Sequence, residues 1–152
     1  MRSAFRVLAY LIALGVAIQA AAVAYGFFAL GKYIESGATV DKSTTSFPGD
    51  SGLAIHGIGG TIAVPALALL FLVSSFFVKL PGGVRWGLIV FVTTVVQVAL
   101  GLFAHSIPAL GVLHGIVALA LFGEAVSAAM WVSRAARATA TTAADATATS
   151  VV

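Results

Sequence analysis

The sequence predicts an all-α integral membrane protein, an up-down-up-down bundle of four helices with both termini in the cytoplasm. The composition is 61% hydrophobic and only 9% charged, which fits no class of soluble protein. Four apolar runs are each long enough to cross about 30 Å of hydrocarbon as a helix. The runs lack the alternating polarity of barrel strands, and the connections are mostly short, which favours antiparallel neighbours in one bundle.

The four runs and their connections form one predicted domain, residues 1–137. The Ala- and Thr-rich segment that follows cannot bury enough apolar surface to order itself. Residues 138–152 are therefore predicted to be a disordered cytoplasmic tail. The predicted spans are about 5–30, 53–78, 86–104 and 110–132.

Basic residues are distributed unevenly between the two sides of the predicted bundle. Two of the eight, Lys32 and Lys42, lie in the long connection 31–52, and six flank span ends on the other side. Lys and Arg concentrate in cytoplasmic loops, so the sequence predicts a multi-pass protein of the cell membrane with 31–52 outside. The six basic residues lack the interleaved aromatics of a nucleic-acid site, and no nucleic-acid partner is expected. They are Arg2, Arg6, Lys79, Arg85, Arg134 and Arg137.

The N-terminal run has a second interpretation, a secretory signal peptide, because Arg2 and Arg6 precede it and small residues follow near 20–22. The run continues to Leu30, beyond the usual hydrophobic core of about 7 to 15 residues. Cleavage would also leave an odd three-span remainder. An uncleaved first span is therefore predicted.

The tripeptide motif His-Gly-Ile occurs twice, at His56 and His114, near the predicted outer ends of the second and fourth spans. Both spans enter from the outer face in this topology, so the imidazoles are expected at matching depth. The two spans are diagonal partners in the bundle, and their histidines would face each other across the core. This is the geometry of two axial ligands on opposite faces of a haem iron.

On the helical repeat His56 lies above three small residues, and His114 lies above Val117, Ala118 and Leu121. The small residues among these leave room for a flat macrocycle. Without cysteine, no thioether attachment can form and the cofactor would be non-covalent haem b. The alternative is that small residues let helices approach closely while the histidines bond across the bundle. The predicted floor of the haem pocket consists of Gly59, Gly60, Ala63 and Ala118.

A third histidine, His105, ends the third span on the same rim. It is a candidate hydrogen-bond partner for a haem propionate, and equally an ordinary interfacial histidine. Three histidines at one rim also leave open a Zn or Cu site, for which imidazole is a common ligand.

Glu124 is the only carboxylate inside a predicted span, about 15 Å along the helix from His114. A membrane-embedded acid needs a partner or a proton. One interpretation is a neutral acid in a hydrogen-bonded network, and the other is a proton relay below a redox centre. The polar side chains at similar depth are Gln19, Thr93, Thr94 and Gln97.

A weak internal repeat relates the first two spans to the last two. Gln19 is followed by small residues and Gly26, and Gln97 by Gly101, while the second span of each pair carries the histidine phrase. The sequence thus predicts two helix pairs related by an axis along the membrane normal. The register is loose, since the Gln-to-Gly spacing is seven residues in one copy and four in the other.

This pattern resembles one four-helix half of the haem A synthase family, whose halves place a histidine near the outer ends of their second and fourth spans. The resemblance covers about residues 5–133. The chain also resembles small bacterial four-span membrane proteins with the same histidine placement. The matching phrases are Ile55-His56-Gly57-Ile58-Gly59-Gly60, Gln97-Val98-Ala99-Leu100-Gly101 and Leu113-His114-Gly115-Ile116-Val117-Ala118.

Departures from the synthase pattern limit what the resemblance implies. The synthases have two bundles, the acid they carry one turn before the first ligand corresponds to Leu53, and the outer-loop cysteine pair of many members is absent. The resemblance implies a haem-binding scaffold, a b-type cytochrome or haem-handling subunit, more than oxygenating chemistry. The expected partners are the lipid bilayer and a redox partner or membrane complex, and no enzymatic activity of this chain alone is expected. The alternative is a cofactor-free accessory subunit or small transporter whose histidines serve packing or pH sensing.

Overall fold

The computed structural model describes the backbone of residues 1–149 and the side chains of residues 1–138. Every regular element in this part of the chain is helical, and four helices are long and apolar enough to cross a membrane. The predicted all-α fold with four candidate spans is confirmed. The tail 138–152 is predicted to be disordered. Of these residues only Ala138 has a described side chain, so the disorder stays a prediction. The helices are α1 (Arg2–Glu35), α2 (Asp50–Ser75), α3 (Gly83–Ala104) and α4 (Leu110–Thr149).

The connection between α1 and α2 is shorter than predicted. It covers residues 36–49 rather than 31–52, because both helices continue past their apolar runs into polar residues. α2 begins after Gly49, whose φ of 96° lies in the left-handed region that favours glycine. A Cβ at this position would also lie 2.5 Å from the Cβ of Ala29. The early start puts His56 in the second turn of its helix instead of the first.

α2 is interrupted by a π-helical turn at Gly59–Ala63, where the backbone N–H of Val64 donates to the carbonyl of Gly59, five residues earlier. Pro65 follows directly and has no N–H with which to bond the carbonyl of Thr61. A proline in a helix interior also crowds that carbonyl, and a wider turn relieves the crowding. The π turn therefore has a local cause in the sequence, and it rotates the residues after His56 relative to a regular α-helix.

The well-packed part of the molecule is the end where α1 begins, which we call the terminus end. There the ring centroids of Phe5 and Phe71 lie 4.3 Å apart, and those of Phe5 and Trp131 lie 6.1 Å apart. Small side chains let the helix backbones approach, which matters in lipid because lipid tails are as apolar as the core. The buried small residues at this end are Ala9, Ala13, Ala68, Ala125, Ala128 and Ala129.

The opposite end, which we call the histidine end, consists of a first pair (α1 and α2) and a second pair (α3 and α4). In the first pair, a Cβ on Gly26 would lie 2.6 Å from the side chain of Leu53. In the second pair, a Cβ on Gly101 would lie 3.0 Å from the ring of His114. α3 packs against α2 mainly along the Val64–Ser75 half of α2. The two pairs are therefore closely packed within themselves and leave a gap between them at this end.

Candidate cofactor site

The two histidines predicted to face each other do so across the gap between the pairs. The ring centroids of His56 and His114 lie 6.0 Å apart, and the ring planes are inclined by 73°. Each ring is partly buried. The structure thus brings together two imidazoles that are 58 positions apart in the chain, from 56 to 114.

Each imidazole is fixed by a backbone carbonyl of the partner helix in its own pair. Nδ1 of His56 donates to the carbonyl of Gln19 over 3.0 Å, and Nδ1 of His114 donates to the carbonyl of Gln97 over 3.0 Å. A helical carbonyl has a second lone pair that can accept such a bond. Because a carbonyl can only accept, the proton of the neutral ring lies on Nδ1 and the lone pair lies on Nε2. Histidines that bind a metal are oriented in the same way.

The two glutamine side chains differ in whether they contact the histidine of their own pair. Nε2 of Gln97 lies 3.2 Å from Nε2 of His114, so its amide can donate to the ring lone pair. Nε2 of Gln19 instead donates to the carbonyl of Ile55 over 3.4 Å. Within the described residues, Nε2 of His56 makes no hydrogen bond. One ring nitrogen is therefore open, and the other is covered by an amide that can swing away.

The separation of the rings suits one metal ion held between them. A bond from a metal ion to an imidazole nitrogen is about 2.0 to 2.1 Å long. Each nitrogen lies roughly 1.1 Å from the centre of its ring, so two imidazoles on opposite sides of one ion have centres roughly 6.2 Å apart. The observed 6.0 Å agrees with this distance, and it also lies in the range of about 4.5 to 7 Å for two rings packed edge to face. Two imidazoles in direct contact through a single hydrogen bond would instead need one ring to donate to the other, which two Nδ1-protonated rings cannot do.

A cavity of about 560 Å³ surrounds the two rings, within the usual range of about 300 to 1,000 Å³ for cofactor and ligand pockets. Its wall is mostly apolar, and residues of all four helices contribute to it. Small residues leave space beside the imidazoles, as a flat macrocycle requires. The small residues of the wall include Ala17, Ala20, Gly60, Gly101, Gly115 and Ala118.

Two of the four predicted floor residues line this cavity and two do not. Gly60 and Ala118 form part of its wall, whereas Gly59 and Ala63 do not. The prediction assumed a regular α-helix after His56, and the π-helical turn that begins at Gly59 changes the direction of the residues after it, including Ala63. Gly59 instead faces the amide of Gln19, which a Cβ at this position would hit.

His105 also borders the cavity, at its exposed rim. Its Nδ1 bonds the carbonyl of Gly101, four residues earlier, over 3.2 Å. In the part of the chain with described side chains, no group of three or more His, Cys, Asp or Glu residues could hold a metal ion. The interpretation of the three histidines as a Zn or Cu site is therefore not supported.

Glu124 lies outside this cavity wall and contacts one polar side chain. Oγ1 of Thr93 donates to Oε1 of Glu124 over 3.2 Å, while Oε2 is buried and has no hydrogen-bond partner. The expected wider network around the acid is absent from the described residues, since the hydroxyl of Thr94 donates to the carbonyl of Val90. The Oε1 atoms of Gln19 and Gln97 are likewise buried without partners.

Sequence reasoning missed several contributors to the site. The anchoring carbonyls of Gln19 and Gln97 are main-chain groups, which carry no residue-specific signal, although both glutamines stood out in the repeat. Thr61 lines the cavity because of the π turn, and Pro65 was the available signal for that turn. Comparison of the chain with protein-family models, with curated proteins and with solved structures gave no match.

Proposed function

We propose that this protein binds one haem b between His56 and His114 and serves electron transfer or haem handling in the cell membrane. One observation carries the proposal: two imidazoles lie 6.0 Å apart, each with Nδ1 held by a backbone carbonyl. The fixed Nδ1 makes Nε2 the ligating atom on both rings. The apolar cavity supplies space for the macrocycle.

Two imidazole ligands point to electron transfer more than to reaction with oxygen. When both axial positions of a haem iron are filled by strong ligands, no position is left for a substrate or for O₂. His56 and His114 would then hold the iron, and the chain would supply the apolar surroundings that set its potential. His105 lies at the exposed rim with Nδ1 bonded to the carbonyl of Gly101, so its ring would donate Nε2–H to a propionate only in the doubly protonated form.

The proposed topology is an up-down-up-down bundle with both termini in the cytoplasm and the histidine end near the outer face. The contacts of Phe5 with Phe71 and Trp131 support it, because they bring the start of α1 to the ends of α2 and of the apolar run in α4. The excess of basic residues at the terminus end supports the orientation. A reporter fused after Arg137 should be active only in the cytoplasm, and activity only in the external compartment would reverse the orientation.

The optical spectrum of the purified protein tests the proposed function. Protein from haem-sufficient cells should be red, show sharp bands on reduction and bind carbon monoxide poorly, because no iron position is free. His105→Ala is the matched control, and it should leave the spectrum largely unchanged. A folded protein that stays colourless after haem supplementation would contradict the proposal.

The cofactor-free alternative is favoured by one specific observation, the contact between the side-chain amide of Gln97 and Nε2 of His114 at 3.2 Å. This contact satisfies both ring nitrogens of His114 without a cofactor. It does not do so for His56, whose Nε2 has no partner among the described residues. A colourless protein would therefore assign His114 a packing role and leave the open nitrogen of His56 as the group to explain.

A further inference from the structure

The proposed function makes no use of Glu124, although a carboxyl group inside a membrane span is costly to keep. The acid is partly buried, and its Oε2 has no hydrogen-bond partner. A buried polar atom without a partner requires an explanation, such as a proton of its own or an ordered water. Oε2 of Glu124 can therefore carry a proton or bind a water molecule.

Polar groups follow the interface between α3 and α4 from the histidine to the acid. Gln97 contacts His114 through both its carbonyl and its amide. Thr93 lies one turn away on the same face of α3, about 6 Å along the helix axis, and donates to Glu124. The Oε1 of Gln97 and the Oε2 of Glu124 are both buried acceptors without partners. Gln97 lines the cavity, and Thr93 one turn further along α3 bonds the acid, so these two residues lie between the cavity and Glu124.

The first pair has no polar side chains at the positions that match Thr93 and Glu124, although its histidine bonds a glutamine carbonyl in the same way. The position four residues before Gln19 is Gly15, where the second pair has Thr93. The position ten residues after His56 is Ala66, where the second pair has Glu124. The acid and its hydrogen-bond partner therefore occur in one pair only. A packing requirement shared by both pairs does not explain this difference.

In the described residues, Tyr10 on α1 is the ionisable side chain nearest to Glu124 in depth, and it is 47% exposed. On α3 the nearest ionisable side chains along the chain are Arg85, about 12 Å from Thr93 along the axis, and His105, about 18 Å away on the other side. The buried side chains of α1, which also packs against α4, are apolar. Arg2 and Arg6 of this helix lie toward the terminus end, and its other ionisable residues beyond Tyr10 lie toward the histidine end: Tyr25, Lys32, Tyr33 and Glu35. On α4 itself they are His114, Arg134 and Arg137.

We propose that Glu124 binds a proton when the haem between His56 and His114 is reduced and releases it when the haem is oxidised. This inference rests on the proposed function. A one-electron donor supplies the electron, which removes one positive charge from the site. A carboxylate about 15 Å along α4 from His114 is then less favourable, because charges interact over such a distance where little water is present. Glu124 therefore takes one proton from solvent water, which keeps the local charge constant.

The test is a redox titration of the full-length, haem-loaded protein at a series of pH values, with dithionite and ferricyanide as titrants. The midpoint potential of the wild type should fall as pH rises through the range in which Glu124 exchanges its proton, by at most 59 mV per pH unit for one proton per electron. Glu124→Gln should abolish this dependence. Glu35→Gln removes an exposed carboxyl at the end of α1 and is the matched control, which should keep it.

An infrared measurement identifies the proton-binding group without altering Glu124. The chain contains two glutamates, Glu35 and Glu124, so Glu35→Gln protein has a single glutamate. Reduction of this variant should produce a carbonyl band of a protonated carboxyl, and heavy-carbon labelling of glutamate should shift it. A haem protein with a pH-independent potential and no such band would overturn the inference and leave the proposed function intact. A protein that binds no haem would overturn both.

Discussion

The first and second helix pairs hold their histidines in the same way but surround them differently. In both pairs, Nδ1 of the imidazole bonds a glutamine carbonyl over 3.0 Å. Only in the second pair does the glutamine amide reach the ring, and only there does an acid lie further along the interface. What the pairs share therefore sets the position of the two rings. What distinguishes them is the amide beside the ring of His114 and the acid further along the same interface.

The glycines of the two pairs also have different tasks, although the repeat aligned them. Gly26 allows the backbones of α1 and α2 to approach at Leu53, whereas Gly101 leaves room for the ring of His114. The unequal spacing from glutamine to glycine follows from this difference. Both pairs have the contact between the glutamine carbonyl and the histidine ring. The glycine of each pair contacts a different side chain, Leu53 in the first and His114 in the second.

The largest expected effect comes from removing either histidine, and it should be equal in the two pairs. A single imidazole cannot keep the iron six-coordinate, and the chain has no cysteine to replace the lost ligand. His56→Ala and His114→Ala should each give high-spin or haem-free protein, measured by absorption and haem content. If one variant kept the full low-spin spectrum, the two pairs would not contribute equally.

The two glycines separate packing from ligand position. In Gly101→Ala the new methyl group meets the ring of His114, so the haem spectrum should change. In Gly26→Ala the methyl group meets Leu53, and the expected result is a loss of about 1 to 3 kcal/mol of stability without a spectral change. Thermal unfolding and absorption of both variants measure this. A spectral change in Gly26→Ala alone would reverse the assignment.

The two glutamine side chains should differ in a smaller way. Gln97→Leu removes the amide that covers Nε2 of His114, and because such a bond is worth about 0.5 to 1.5 kcal/mol, haem should bind about two- to tenfold more tightly. Gln19→Leu is the matched change in the first pair and should leave the affinity within about twofold, since its amide bonds Ile55 instead. Haem titration of the haem-free proteins compares them. Equal effects would mean that the amide of Gln97 does not limit access.

The smallest effect is expected in the connection of the first pair, which has a hydrogen-bonded turn at Asp41. Hydrogen bonds from the side chain and backbone N–H of Ser43 lower the pKa of the Asp41 carboxyl below its ordinary value. The bonds thus stabilise the turn at neutral pH, and this stabilisation is lost as pH falls through the lowered pKa. The protection of the Ser43 amide against exchange, taken relative to the intrinsic exchange rate at each pH, should fall in that acidic range. Ser43→Ala should raise the pKa, and an unchanged titration would disprove the role of Ser43.

Hydropathy was sufficient to predict the four spans, because their apolar character does not depend on tertiary detail. The pairing of His56 with His114 followed from short connections, which leave few arrangements for four helices. The predicted floor residues Gly59 and Ala63 do not line the cavity, and their role stays a prediction. Pro65 widens the helix, so a regular 3.6-residue period no longer applies after Gly59. The anchors at Gln19 and Gln97 were not predictable, because backbone carbonyls are the same in every residue.

The most direct test of a single haem held by both pairs is electron paramagnetic resonance of the oxidised protein. Two imidazoles on one iron give a low-spin signal, and ring planes inclined by 73° should make it strongly anisotropic, because neither in-plane direction at the iron is favoured. The expected result is one such signal per chain, lost in His56→Ala and in His114→Ala. A high-spin signal in the wild type, or a folded protein without any haem signal after haem is supplied, would contradict the proposed site.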